Sequence, residues 1–285
     1  MARGLGLLRS VGTKGLSLAL ILTLSACAAA RDRNRTLAIE ELGPQAIFEN
    51  AEAQLEAGQP DDAAALFIEV ERLYPYSEWA QRSLIMATYS YQEDRDYENS
   101  RASAQRYLDF YPASEDAAYA QYLLALSYYD QIDQVGRDQG LTFQALQALR
   151  LVIERYPESE YAASAILKFD LAFDHLAGKE MEIGRYYLRR QNYTAAINRF
   201  RVVVEEFQTT SQTPEALLRL VESYLALGLA NEAQTAGAIL GYNFQASPFY
   251  DDAFRILNDE NLAPEAAGES WLREIWQQTV RGEWL

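Results

Sequence analysis

A single cysteine and a single histidine in 285 residues leave little room for chemistry. One thiol cannot close a disulfide within the chain, and His and Cys together cannot build a zinc site. Ser-His-Asp or Cys-His catalysis would depend on His175. That residue sits in the helix-compatible stretch Asp170-Leu-Ala-Phe-Asp-His-Leu176, where a packing or surface role is expected. The chain has no glycine-rich phosphate loop, and no cofactor is expected. Proline (8) and glycine (15) are few, which favours long helices on short connections over a β-rich fold. No apolar run approaches the ~20 residues that span a bilayer. Bases are scarce as well, 25 against 41 acids, for a net charge of −16. Such a surface excludes nucleic acid as a general partner, because that affinity comes from neutralised phosphates. It also offers no bulk attraction to anionic lipid.

What is present begins at the N-terminus. Residues 1–26 carry Arg3, Arg9 and Lys14 and no acid, so removing them takes the net charge from −16 to −19. The run Leu16–Leu24 is apolar and short, and small residues follow it, as in a secretory signal peptide. Leu24-Ser25-Ala26-Cys27 resembles a bacterial lipobox. That likeness implies cleavage before Cys27 and acylation of its sulfur and new amino group, and two or more acyl chains anchor a protein stably. Ala28 rather than Asp at the next position implies sorting to the outer membrane. Residues 27–44 read as a lipidated, flexible tether.

Three segments then repeat one pattern: Tyr74-Pro-Tyr-Ser-Glu-Trp-Ala80, Tyr111-Pro-Ala-Ser-Glu-Asp-Ala117 and Tyr156-Pro-Glu-Ser-Glu-Tyr-Ala162, spaced by 37 and 45 residues. Proline keeps the Tyr before it out of the helix. Serine three positions after the Tyr is a good cap for the next helix, and Glu in the first turn suits the helix dipole. Between the markers, small and large residues alternate as in tetratricopeptide repeats. Examples are Ala51, Gly58, Ala63 and Phe67, then Tyr91, Ser100, Ala104 and Tyr107, then Ala125, Ala145 and Leu149. Two further matches, at Gly184–Val203 and Leu220–Leu240, lack the proline marker. The spacing therefore predicts an all-α solenoid of about five helix pairs. Residues 45–157 would hold repeats 1–3, with a longer loop around Asp133–Gly140. Residues 158–258 would hold one long or kinked helix over 160–190, repeats 4 and 5, and a short helix at 248–258. Residues 259–285 would end in an amphipathic capping helix at 268–281.

In such a repeat the first helix of each pair lines the inner wall. The register places Phe48, Arg82, Ile85, Tyr89, Tyr119, Tyr122, Leu126 and Tyr129 there, an aromatic trough suited to an extended peptide. The alternative is that several of these rings only pack between helices. Repeat 4 is basic. Arg185 and Arg189 share a helical face, Arg190 adjoins them, and Arg199 and Arg201 follow. This patch is a candidate dock for an acidic partner, unless it pairs internally with Glu205, Glu206 or Glu222.

Sharper signals lie at Asp138-Gln-Gly140, Lys179-Glu-Met-Glu-Ile-Gly-Arg-Tyr-Tyr-Leu-Arg-Arg190, Tyr193-Thr-Ala-Ala-Ile-Asn-Arg-Phe200, Val203–Thr210, Glu215–Glu222 and Leu240-Gly-Tyr-Asn243. In order, and from the lipobox to about residue 258, these resemble the BamD family, also called ComL or YfiO. The resemblance implies a lipoprotein on the periplasmic face of the cell outer membrane, acting without catalysis in β-barrel assembly. It implies binding to the POTRA region of the barrel subunit BamA, association with other lipoproteins of that machinery, and recognition of the C-terminal signal of unfolded outer-membrane proteins. Signal binding would fall near Tyr89, Tyr119 and Tyr122, and BamA docking near Arg185, Arg189 and Arg199. Two rivals are another envelope repeat adaptor, Tol-associated or serving a protease, and a peptidoglycan lytic enzyme. The last rests on Glu222-Ser223, a pair resembling the catalytic Glu-Ser of lytic transglycosylases.

Overall fold

A computed structural model describes residue 39 and residues 41–284; the signal segment and Cys27 lie outside them. The described residues form helices and no strand, in two compact units that divide between Tyr111 and Pro112.

The first unit contains α1 (Pro44–Glu56), α2 (Pro60–Leu73), α3 (Glu78–Glu93) and α4 (Tyr97–Phe110). The pairs α1/α2 and α3/α4 are joined by tight turns. Gly58 takes a left-handed φ of 72° in the first, and Arg95 takes 64° in the second. In each turn an N–H reaches back five residues to close the helix end: Gln59 to the Gln54 carbonyl, Asp96 to that of Tyr91. Small buried residues let the helices touch: Ala51 and Ala63 share one core, and the Ser100 hydroxyl of α4 donates to the Thr88 carbonyl of α3 at 3.3 Å. Ile47, Phe67 and Val70 fill the core.

The second unit contains α5 (Ala117–Tyr129), α6 (Gly140–Arg155), α7 (Ala162–Arg189), α8 (Tyr193–Glu206), α9 (Thr213–Ala226), α10 (Ala230–Asn243), α11 (Pro248–Asp259) and α12 (Trp271–Arg281). Helix α7 runs 28 residues without a break. Its first half packs on α6 and its second half on α8. The largest core joins Met181 and Phe200 to Leu217, Leu220, Ile239 and Leu257. Residues Leu272, Ile275 and Trp284 of the C-terminal segment are buried in that same core. Ahead of α12, the Ala267 N–H and the Thr235 hydroxyl exchange hydrogen bonds with each other's residues (3.0 and 2.9 Å), which straps the chain to α10.

The second helix of every pair stops in the same way. Tyr74, Tyr111 and Tyr156 all hold φ near −130°, and so do Phe207 and Phe244. The last two have no proline after them, yet their helices end no less sharply. The N–H three residues on donates to the aromatic residue's carbonyl at Tyr74, Tyr156, Phe207 and Phe244, over 2.9–3.1 Å. The stop is therefore the half-buried aromatic with its turn, and proline only reinforces it. The serine of the marker is a less general cap than expected. Ser77 accepts from the Ala80 N–H at 3.2 Å. At the other two markers the N-cap position falls two residues after the serine, on Asp116 and Tyr161.

Candidate functional site

In the first unit, α3 carries Trp79, Arg82 and Tyr89 on one face. The Arg82 guanidinium lies over both the Phe48 ring (5.3 Å) and the Trp79 ring (5.1 Å), and those rings are 5.0 Å apart. An aromatic base of this kind fixes a long cation without neutralising it. Phe48 and Ile85, expected as lining residues, are only 2% and 7% exposed. Their apolar side chains belong to the interhelical core, so they are corrected to support rather than surface. Arg82 is exposed and Tyr89 half-exposed. Burial, slight as it is, and then the Glu93 carboxylate bonded to it push the Tyr89 hydroxyl above its ordinary value.

In the second unit, α5 presents Tyr119, Tyr122, Leu126 and Tyr129, all half-buried. The rings are not bare. Tyr161, at the start of α7, stacks on Tyr119 (5.1 Å) and Tyr122 (5.3 Å), and the Tyr122 hydroxyl lies 2.7 Å from that of Ser164. Lys168 sits 5.5 Å over Tyr129. The trough is thus partly filled by the chain's own side chains. Neither Trp79 nor Tyr161 was singled out from the sequence. Each is the aromatic directly after a marker's Ser-Glu pair, and that shared position is the signal that would have found them.

The basic patch is also partly spent. Arg185 forks onto Glu215 with bonds of 3.0 and 2.9 Å, and Arg219 adds a third at 3.2 Å while gripping Glu222. Burial alone would raise the Glu215 carboxyl, but the hydrogen bonds and charge of Arg185, then of Arg219, outweigh it and hold the group below its ordinary 4.5. Arg199 pairs with Glu180 at 3.0 Å, and Arg201 with Glu205 at 2.8 Å. Arg185 and Arg199 are therefore both members of ion pairs within the chain. Their partners, Glu215 and Glu180, differ from the acids considered in the sequence. Arg190 stacks on Tyr186 (4.4 Å), which is itself exposed. Arg189 is exposed and has no partner among the described residues.

The lytic reading loses its residues. Glu222 is clamped by Arg219 at 2.9 Å, and Ser223 is fully buried with its hydroxyl bonded back to the Arg219 carbonyl at 2.7 Å. A nucleophile or acid so placed meets no substrate. His175 faces Gln139 (Nδ1 to Oε1, 3.2 Å). Among the described residues no cluster of His, Cys, Asp and Glu could hold a metal, and no helix is long and apolar enough to cross a membrane. Two separated motifs of the sequence meet in space instead. Lys179 donates to the Gly136 carbonyl at 2.5 Å, and Gly178 lies against Val135, so the long α5–α6 loop is bound to α7.

Paired helices with a half-buried aromatic face and a basic helix end define a helical-repeat protein. Comparison with known proteins sharpens this. The model of the YfiO family, described as outer membrane lipoprotein, matches residues 40–239. A protein of Caulobacter vibrioides called outer membrane protein assembly factor BamD is 46% identical over 255 residues, spanning 89% of this chain and 84% of that one. A protein of the same name from Rickettsia prowazekii is 40% identical, over 87% of this chain and 98% of its own length. A third, from Neisseria meningitidis, is 29% identical over 84% of this chain and 94% of its own. The chain belongs to the YfiO family, and all three of these relatives carry the name outer membrane protein assembly factor.

Proposed function

We propose that this chain is a non-catalytic component of the machinery that assembles β-barrel proteins in the outer membrane. In this reading it is held on the periplasmic face by lipid on Cys27. It binds the POTRA region of BamA, associates with the machinery's other lipoproteins, and receives the C-terminal signal of unfolded barrel proteins. The observation that carries the reading is the 46% identity to an outer membrane protein assembly factor across 89% of the chain. The aromatic faces of α3 and α5 suit a signal ending in an aromatic ring, since offset and edge contacts between rings add to burial. A ring arriving at α5 would compete with Tyr161 for Tyr119 and Tyr122. Affinity purification from detergent-solubilised membranes tests the reading directly: BamA should accompany the chain, and its absence would overturn the assignment.

For the BamA contact, Arg189 is the residue of choice, because reversing its charge breaks no internal ion pair. Arg189→Glu is expected to lower copurified BamA about tenfold, more so at low salt, as for an interfacial charge meeting an acidic surface. An unchanged yield would remove this helix end from the interface. Cys27→Ser is expected to move the chain almost wholly into the soluble periplasmic fraction, since among the described residues no helix is long and apolar enough to cross a membrane. Persistence of the variant in washed membranes would show a different attachment.

A further inference from the structure

From the exposed side of α7 we infer a third surface, built to dock a cationic amphipathic helix from a partner protein. This inference does not rest on the reading above. Along α7, Ala163, Ile166, Leu167, Asp170 and Leu171 follow the spacing of one helical stripe and all face solvent. Leu167 is 60% exposed, Leu171 53% and Ile166 47%. Isolated exposed leucines are ordinary, but a contiguous apolar stripe on a soluble helix marks an interaction site.

The stripe is also shaped. Leu171 stands between two clefts. One, of 400 Å³, lies against Phe173, Asp174 and the Thr209–Ser211 turn. The other, of 220 Å³, is closed by Tyr129, Ile132 and His175. A ridge with a groove on either side is the form that receives the side-chain rows of a second helix. An extended strand would gain less, because it would find no sheet edge here among the described residues to continue its hydrogen bonding.

Charge selects the occupant. The rim carries Asp133, Asp170 and Asp174. Asp170 is exposed and has no partner among the described residues. Asp174 takes the N–H and hydroxyl of Ser211 (2.8 and 2.6 Å) and the Gln212 amide, all neutral donors. Asp133 meets Arg137 at 3.2 Å, an exposed pair. The nearby bases Lys168 and Arg150 are turned onto the rings of Tyr129 and Phe169. The fitting partner is a helix with an apolar face flanked by Lys or Arg.

A synthetic helix with Leu along one face and Lys on both flanks is the probe, titrated by fluorescence anisotropy against the full-length chain in detergent. Saturable binding is expected. Leu171→Glu should weaken it about tenfold, and Asp170→Lys about fivefold, the size of losing one apolar contact or one complementary charge. Both positions are exposed, so the variants should keep the wild-type melting temperature, and Leu167→Ser gives the same reading with a smaller change. A twin peptide with Glu in place of Lys should not bind. Equal affinity for both peptides, or indifference to Leu171→Glu, overturns the inference. So does concentration-dependent dimerisation of the chain alone that Leu171→Glu abolishes, since the occupant would then be a second copy.

Discussion

Placing valine at Gly184 is expected to cost the second unit about 3 kcal/mol, the upper end for overpacking a buried contact. The residue lies in α7 where that helix crosses α8. A Cβ there would fall 2.4 Å from Cε1 of Phe200 and 2.8 Å from two more of its ring atoms. Carbon atoms attract at about 3.5–4 Å and repel steeply inside that distance. Phe200 is fully buried in one core with Met181, Val203 and Leu217, so its ring can yield only by shifting packed neighbours. Alanine poses the same clash with one carbon. It also gains up to ~1 kcal/mol of helix propensity over glycine, so its net loss should be about 1–2 kcal/mol. Chemical denaturation of wild type and both variants measures this. Pairing Gly184→Ala with Phe200→Leu should recover part of the loss, because the smaller side chain admits the methyl group. A denaturation midpoint unmoved by valine would show that α7 and α8 can separate at no cost, contrary to the packing described.

The second large effect concerns Glu215, which three guanidinium hydrogen bonds hold in its charged form. Glu215→Gln is expected to lower stability at neutral pH by about 1–2 kcal/mol, the scale of charge-assisted bonds that are only partly shielded from water. It leaves Arg185 without its carboxylate, while Arg219 keeps Glu222. The pH dependence has a definite sign. The folded carboxyl sits below the ordinary value of 4.5, so as pH falls the unfolded chain takes up the proton first. The stabilisation is complete above that ordinary value and drains away as pH drops through the folded one. The gap between wild type and Gln variant should therefore be widest near neutrality and shrink in acid. A gap that stayed constant down to about pH 3, below the usual carboxylate range, would mean Glu215 acts through shape rather than charge.

These two sites differ in how far they could be read from the sequence. Gly184 and Phe200 both stood at repeat positions, and the helix pairs, the long α7, the loop before α6 and the C-terminal helix all followed from spacing and apolar periodicity. What spacing could not supply was the rotation of each helix about its own axis. Phe48 and Ile85 were placed on the wall, yet a small rotation turns both into the seam. Arg185 was placed on a free patch, yet its carboxylate lies 30 residues away on α9, and only the packed helices bring the two together. Phe207 and Phe244 were passed over as helix stops because proline had been taken as the signal, although a half-buried ring with its turn suffices. Tyr161 was missed for a related reason: a stack onto Tyr119 and Tyr122 joins segments some 40 residues apart, and no local pattern announces it.

Helix α7 has a mechanical meaning beyond its surfaces. Ordinary repeats meet at a turn, which can give way and let one pair fray while its neighbour stands, so stability accumulates roughly pair by pair. A continuous rod of 28 residues, about 42 Å at 1.5 Å per residue, offers no such joint. Strain applied at Ala165 beside α6 is carried through covalent backbone to Gly184 beside α8. The two pairs that share this rod must melt and re-form as one cooperative block.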